Sequence, residues 1–187
     1  MTRSADAPST GNRRIPAMAL LVALCAVSAC GAQGGGRSVS ARIAGHLHAD
    51  LPGPERARRI LEELLPLDGE RRVEVDVWLA CLLRSRVDKS LAEPHRNAWA
   101  AERHICRLAI ASCHGLPMPG LGQELAGAGL KRQAARLPVF IDGLTLQTAT
   151  SPARFTPDGI RAAVAEEQRL VTGWPPLPAF MSFFGGR

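Results

Sequence analysis

Between Pro54 and Pro66, apolar residues recur at Ala57, Ile60, Leu61, Leu64 and Leu65. The spacing i, i+3, i+4, i+7, i+8 lays them along one face of an α-helix, whereas a strand would scatter them over both of its faces. Glu55, Arg58, Arg59, Glu62 and Glu63 fill the opposite, wet face. Pro54 can open such a helix, where a missing N–H costs little, and Pro66 with Asp68-Gly69 ends it. A helix with so strong an apolar stripe has to bury it against other helices.

The rest of the chain supplies them. Ser38 to His48 reads as a short helix with Ile43 and Leu47 four apart. Val73, Val75 and Val77 alternate as in a strand, but the run continues through Trp78 to Leu83, and its length favours a helix from Glu70 to Val87 buried on most sides. A long helix is predicted from about Leu91 to Cys113, with Pro94 in its first turn and His114-Gly115 as its stop. Glu124 to Thr150 forms the next, firm from about Leu130, with Pro138 placed to kink or break it. The last begins with Thr156 as N-cap, Pro157 in the first helical position and Asp158 at the positive end of the dipole. Phe155 and Ile160 have staple spacing. The class is all-α. Residues 1–40 are a signal-like or mis-translated segment and linker, 41–172 the folded body, and 173–187 a tail rich in proline and aromatics.

Charge separates the same parts. The net charge is +6. Residues 1–40 carry +3 of it, and residues 41–187 hold 19 basic against 16 acidic groups. The body therefore has no basic stripe of the kind that neutralises phosphates. Five cysteines (Cys25, Cys30, Cys81, Cys106 and Cys113) lack the regular even-numbered spacing of a disulfide framework. Those of the body fall in apolar helical patterns, which suits a reducing, cytoplasmic compartment.

In the first forty residues, Arg13-Arg14 precede the apolar run Ala17 to Ala29, and Val27-Ser28-Ala29-Cys30 has the form of a lipobox. One reading is thus an exported lipoprotein anchored through Cys30 and carrying a helical binding domain. The other is a start-codon or frame artefact in a cytoplasmic protein. No helix-turn-helix pattern occurs in residues 1–40.

Enzymatic chemistry finds no support. There is no Gly-x-Ser-x-Gly, and Gly34-Gly35-Gly36 has no strand before it. His104, Cys106, Cys113 and His114 do not make a metal site, because His104 and Cys106 face different sides of a helix and Cys113 lies two turns from Cys106. No metal or cofactor is expected.

From about Ser40 the chain resembles the C-terminal domain of TetR-family transcriptional regulators, the BetI-like branch in particular. The residues that carry the likeness are Ile60-Leu61-Glu62-Glu63-Leu64-Leu65-Pro66-Leu67-Asp68, then Glu74 through Ala80 with Trp78-Leu79-Ala80 at its centre. His95-Arg96 adds to it, and so does Ile141-Asp142-Gly143-Leu144-Thr145-Leu146-Gln147 followed by Phe155-Thr156-Pro157. The resemblance implies about five helices, a small-molecule effector held between the central ones, and a homodimer formed by the last two helices as a four-helix bundle. On that basis the dimer surface is expected at Asp142, Gly143, Leu144, Leu146, Gln147, Ile160 and Val164. The effector pocket is expected at Trp78, Cys81, Leu82, Trp99, Ile105 and Cys106, from adjacent long helices. DNA becomes a partner only where a helix-turn-helix stands upstream. A headless chain of this kind would sense and pair, or would form inactive heterodimers with an intact relative.

Overall fold

The computed structural model describes residues 38–172. Among these residues every regular element is helical: α1 Val39–His48, α2 Gly53–Glu62, α3 Gly69–Ser85, α4 Ala92–Cys113, α5 Ala128–Thr150 and α6 Pro157–Thr172. Short 3₁₀ turns at Lys89–Leu91 and Pro152–Arg154 join α3 to α4 and α5 to α6. The signal-like segment, Cys30 and the tail from Gly173 lie outside the described residues.

The stripe on α2 organises the interior. Ala57, Ile60 and Leu61 are fully buried and pack mainly on α4. From α4 the C-terminal half contributes Ile105, Cys106, Ala109, Ile110 and Ala111, and α5 adds Leu137, Ile141 and Leu144. Ile43 of α1 and Ile160 and Val164 of α6 close the cluster. On the wet face of α2, Arg58 and Arg59 pair with Glu55 at 2.7 and 2.8 Å, and Arg58 also meets Glu62. Pairs at this three- and four-residue spacing hold the helix but add only a few tenths of a kcal/mol each. The helix stops at Glu62, earlier than the stripe, because Leu64 and Leu65 turn back on Leu61 and Glu62 carbonyls in tighter i to i+3 bonds.

Helix ends follow their residues. Asp68 caps α3 by accepting the Arg71 N–H at 2.9 Å, and Thr156 caps α6 by accepting the Gly159 N–H at 3.1 Å. At the end of α4 the Leu116 N–H returns to the Ala111 carbonyl and the Gly115 N–H to that of Ser112. Gly115 makes this Schellman termination with φ +61°. Phe155 packs against the core cluster to which Ile160 belongs.

Two expectations are corrected. Helix α3 is peripheral rather than buried on most sides: Val75 is its one buried residue, while Val73 and Leu83 are 57% and 66% exposed. Its apolar residues run all round the helix, so no single neighbour can cover them. Pro138 does not interrupt α5, which is assigned as helix from Ala128 to Thr150. Pro138 is itself buried, so its ring packs in the core and offsets the backbone hydrogen bond it cannot donate. The helix also begins at Ala128 rather than Glu124, with Gly127 at φ +96° just before it.

Where α2 starts it touches the end of α4. A Cβ on Gly53 would lie 2.1 Å from the Ser112 carbonyl oxygen. Gln168 of α6 braces the same corner, donating to the Pro54 carbonyl at 2.8 Å and to the Cys113 Sγ at 3.0 Å. Because the obstacle is backbone, Gly53→Ala is expected to cost about 2 kcal/mol or more by forcing α2 off α4. Urea unfolding of the variant beside the wild type measures it; equal midpoints would show that the two helices are not in this close contact.

Candidate functional site

A cavity of about 90 Å³ opens between α3, α4 and α5, with the turn after α2 and the start of α1 at one end. Its apolar walls come from Leu64, Val75, Trp78, Ile105 and Ile141. Two groups of charged side chains meet it, and they differ in how they are satisfied.

The first group surrounds Glu63, which the sequence pattern puts on the wet face of α2. Instead it caps the end of that helix, and its side chain is 3% exposed. Three donors converge on the carboxylate: Arg42 Nε at 2.6 Å, His46 Nε2 at 2.8 Å and Arg71 at 2.7 and 3.0 Å. Arg42 also pairs with Glu74 at 2.6 Å. Arg71 also pairs with Asp68 at 2.7 Å. Burial pushes the Glu63 carboxyl upward, but the bonds from Arg71, His46 and Arg42 outweigh it and bring the pKa down to about 2. The same pairing raises Arg42 and Arg71 against the opposing effect of their own burial.

The second group is Glu102 of α4 and Asp142 of α5, both lining the cavity. Burial, the neighbouring Asp142 charge and the hydrogen bond between the two carboxyl groups push Glu102 up to about 8, with Arg103 opposing weakly. Asp142 is raised as well, chiefly by burial. Glu102 Oε1 is shut off from solvent and has no hydrogen-bond partner. The pair therefore holds a proton at neutral pH that two exposed carboxylates would have lost.

Of the six residues expected at an effector pocket, Trp78 and Ile105 line this cavity. Cys81 and Leu82 are half-buried elsewhere on α3 and are not among its walls. Cys106 is in the closed core, where burial drives its thiol pKa well up, and Trp99 stands 38% exposed with its ring edge-on to His95 at 5.6 Å. Glu102 escaped the sequence reading although it stands three residues before Ile105, on the same side of the helix. Asp142 was expected on the dimer surface, and nothing local in the sequence points to Glu102 as its neighbour.

The residues expected at a dimer surface also divide. Leu144, Ile160 and Val164 are 8%, 3% and 1% exposed, so they build this chain's own core and cannot present an apolar face to another copy. Asp142 faces the cavity. Leu146 is 50% exposed, Gln147 is exposed, and nothing lies within 4 Å of where a Gly143 Cβ would be. The outer face of these helices also carries Val139 and Leu170, 71% and 52% exposed. Among the described residues no cluster of three His, Cys, Asp or Glu side chains is placed to hold a metal ion, and no helix is long and apolar enough to cross a membrane.

Residues 54–169 match the family model of the BetI-type transcriptional repressor C-terminal domain. The chain belongs to this branch of the TetR family of transcriptional regulators. Its fold is similar to the crystal structure of a transcriptional regulator from Rhodococcus sp. Rha1, with a TM-score of 0.58 at 22% identity over 84% of this chain and 71% of that one. No curated protein matches it. Nothing in these comparisons favours the lipoprotein reading, which rests on Cys30, outside the described residues.

The electrostatics around Glu63 predict a pH dependence. Its folded-state pKa is below the ordinary 4.5, so its contribution is present above that value and is lost as pH falls toward about 2. Glu63→Gln removes the charge facing two half-buried arginines and is expected to cost about 3 kcal/mol at pH 7. Chemical denaturation from pH 7 down to pH 2 should show the wild type converging on the variant; a constant gap at every pH would contradict the role given to this carboxylate.

Proposed function

We propose that residues 41–172 are the effector-binding and pairing body of a TetR-family regulator, acting on transcription only together with a DNA-reading head. The cavity between α3, α4 and α5 carries this reading, because it combines an aromatic and aliphatic wall with a few buried polar groups, the usual make-up of a small-molecule site. Glu63 gives the site a route outward. It borders the cavity and is bonded to Arg42 and His46 of α1, the helix that leads toward the N-terminus. A ligand that shifts the turn at Glu63 shifts α1 with it.

Pairing is assigned to the outer face of α5 and α6, at Val139, Gly143, Leu146, Gln147 and Leu170. Isolated exposed apolar residues are unremarkable, but here they share a face with an unobstructed glycine that lets a second helix approach. The occupant proposed is a second copy of this chain.

Two measurements test the reading. A panel of small phenyl compounds with different head groups should contain at least one that raises the melting temperature of the wild type, by roughly 3 °C at ten times its Kd. The same compound should leave the cavity-filling variant Ala98→Phe unmoved. If no member of the panel stabilises the wild type, the cavity is not an effector site. In sedimentation equilibrium, Leu146→Arg should turn a dimer into a monomer at micromolar concentration, since a charge buried in such a seam costs several kcal/mol; an undisturbed dimer would place the interface elsewhere.

A further inference from the structure

We propose that the cavity takes a small organic ammonium ion with N–H donors on an apolar or aromatic body, its charge held between Glu102 and Asp142. This rests on the cavity being the effector site, and it adds the chemistry of the ligand.

The argument is one of charge balance. Four carboxyl groups line the cavity, Glu63, Glu74, Glu102 and Asp142, against the single guanidinium of Arg71. Arg71 is committed to Glu63 and Asp68, and Arg42, just outside, bridges Glu63 and Glu74. That end of the cavity is therefore neutralised within the protein. No ion pair among the described residues reaches Glu102 or Asp142 from any packed element: Arg71 and Arg42 are bonded elsewhere, and the nearest cation along α4, Arg103, has an exposed side chain. Two neighbouring carboxyl groups in a low-dielectric wall cannot both be ionised, so the pair keeps a proton in place of a counter-charge.

A ligand cation can take over that role. An ammonium group donates to both carboxylates with charge-assisted bonds, and the proton it displaces leaves to solvent. Its body would rest on Trp78, Val75 and Ile141. A carboxylate ligand would bring a fifth negative group into the cavity. A neutral hydroxyl could bond to the acid pair but would bring no charge and leave its proton in place. A metal ion finds no group of three His, Cys, Asp or Glu ligands among the described residues.

Calorimetry with the full chain at pH 7 tests this on three matched probes, 2-phenylethylamine, 2-phenylethanol and phenylacetate. The amine should bind at least about tenfold tighter than the alcohol, one charge-assisted bond being worth about that factor. Its binding should release up to about one proton, seen as different heats in phosphate and Tris buffers, because Glu102 ionises as the cation arrives. Glu102→Gln and Asp142→Asn should each lower amine affinity about tenfold and leave alcohol affinity within about twofold. Melting temperatures at or above the wild type would show that the variants fold. The proposal is overturned if the alcohol or the acid binds as tightly as the amine, if no proton is released, or if the variants keep full amine affinity. In each of those cases a bound probe still leaves the effector site standing. If none of the three binds, both readings fall.

Discussion

A carboxylate shut away from water has to be neutralised, and Glu63 shows what that requirement does to a fold. Its side chain is 3% exposed at the end of α2, and its oxygens are met by Arg42 and His46 from α1 and by Arg71 from α3. One buried charge thereby sets the positions of two helices relative to a third. Apolar packing alone holds α1 loosely, since of its residues only Ile43 lies deep in the common core. The same convergence places Arg71 and Glu74 along one end of the cavity, so the site inherits its geometry from a structural ion network.

The two ends of the cavity express opposite solutions to burying acid. At one, arginines neutralise Glu63 and hold its pKa near 2; at the other, Glu102 has no basic partner and holds its proton to about 8. The first kind of arrangement is costly to break and suits a fixed joint. The second keeps its proton because burial and the neighbouring carboxyl group disfavour its charge. A neutralised carboxylate and a protonated carboxyl pair thus stand at different ends of one pocket, linked by α3 and by the wall of α4 and α5.

Much of the helical architecture was legible in advance because its signals are local. The stripe from Ala57 to Leu61, the cap at Thr156 and the stop at Gly115 each depend on a few neighbouring residues, and the chain forms them as read. Errors arose where burial overrides local preference. Pro138 reads as a kink or a break, and α5 continues through it without a break, with Pro138 buried. The apolar run of α3 reads as interior, yet most of it lies at the periphery, since α2 and α5 make the main contacts with α4.

The site was legible only in part, for the same reason. Trp78 and Ile105 stand out as large apolar residues in their helices, and both reach the cavity. Leu144, Ile160 and Val164 were equally visible as apolar, but a periodic stripe says that a face is buried without saying against what; here it is the chain's own core. By itself the sequence determined the class of fold, the caps at Thr156 and Gly115 and the family likeness, all set by spacing along the chain. Only the tertiary structure decided that Glu102 and Asp142, forty residues apart, share a wall, and that Glu63 belongs inside, because the free energy of a buried charge depends on which groups the fold brings within hydrogen-bonding reach.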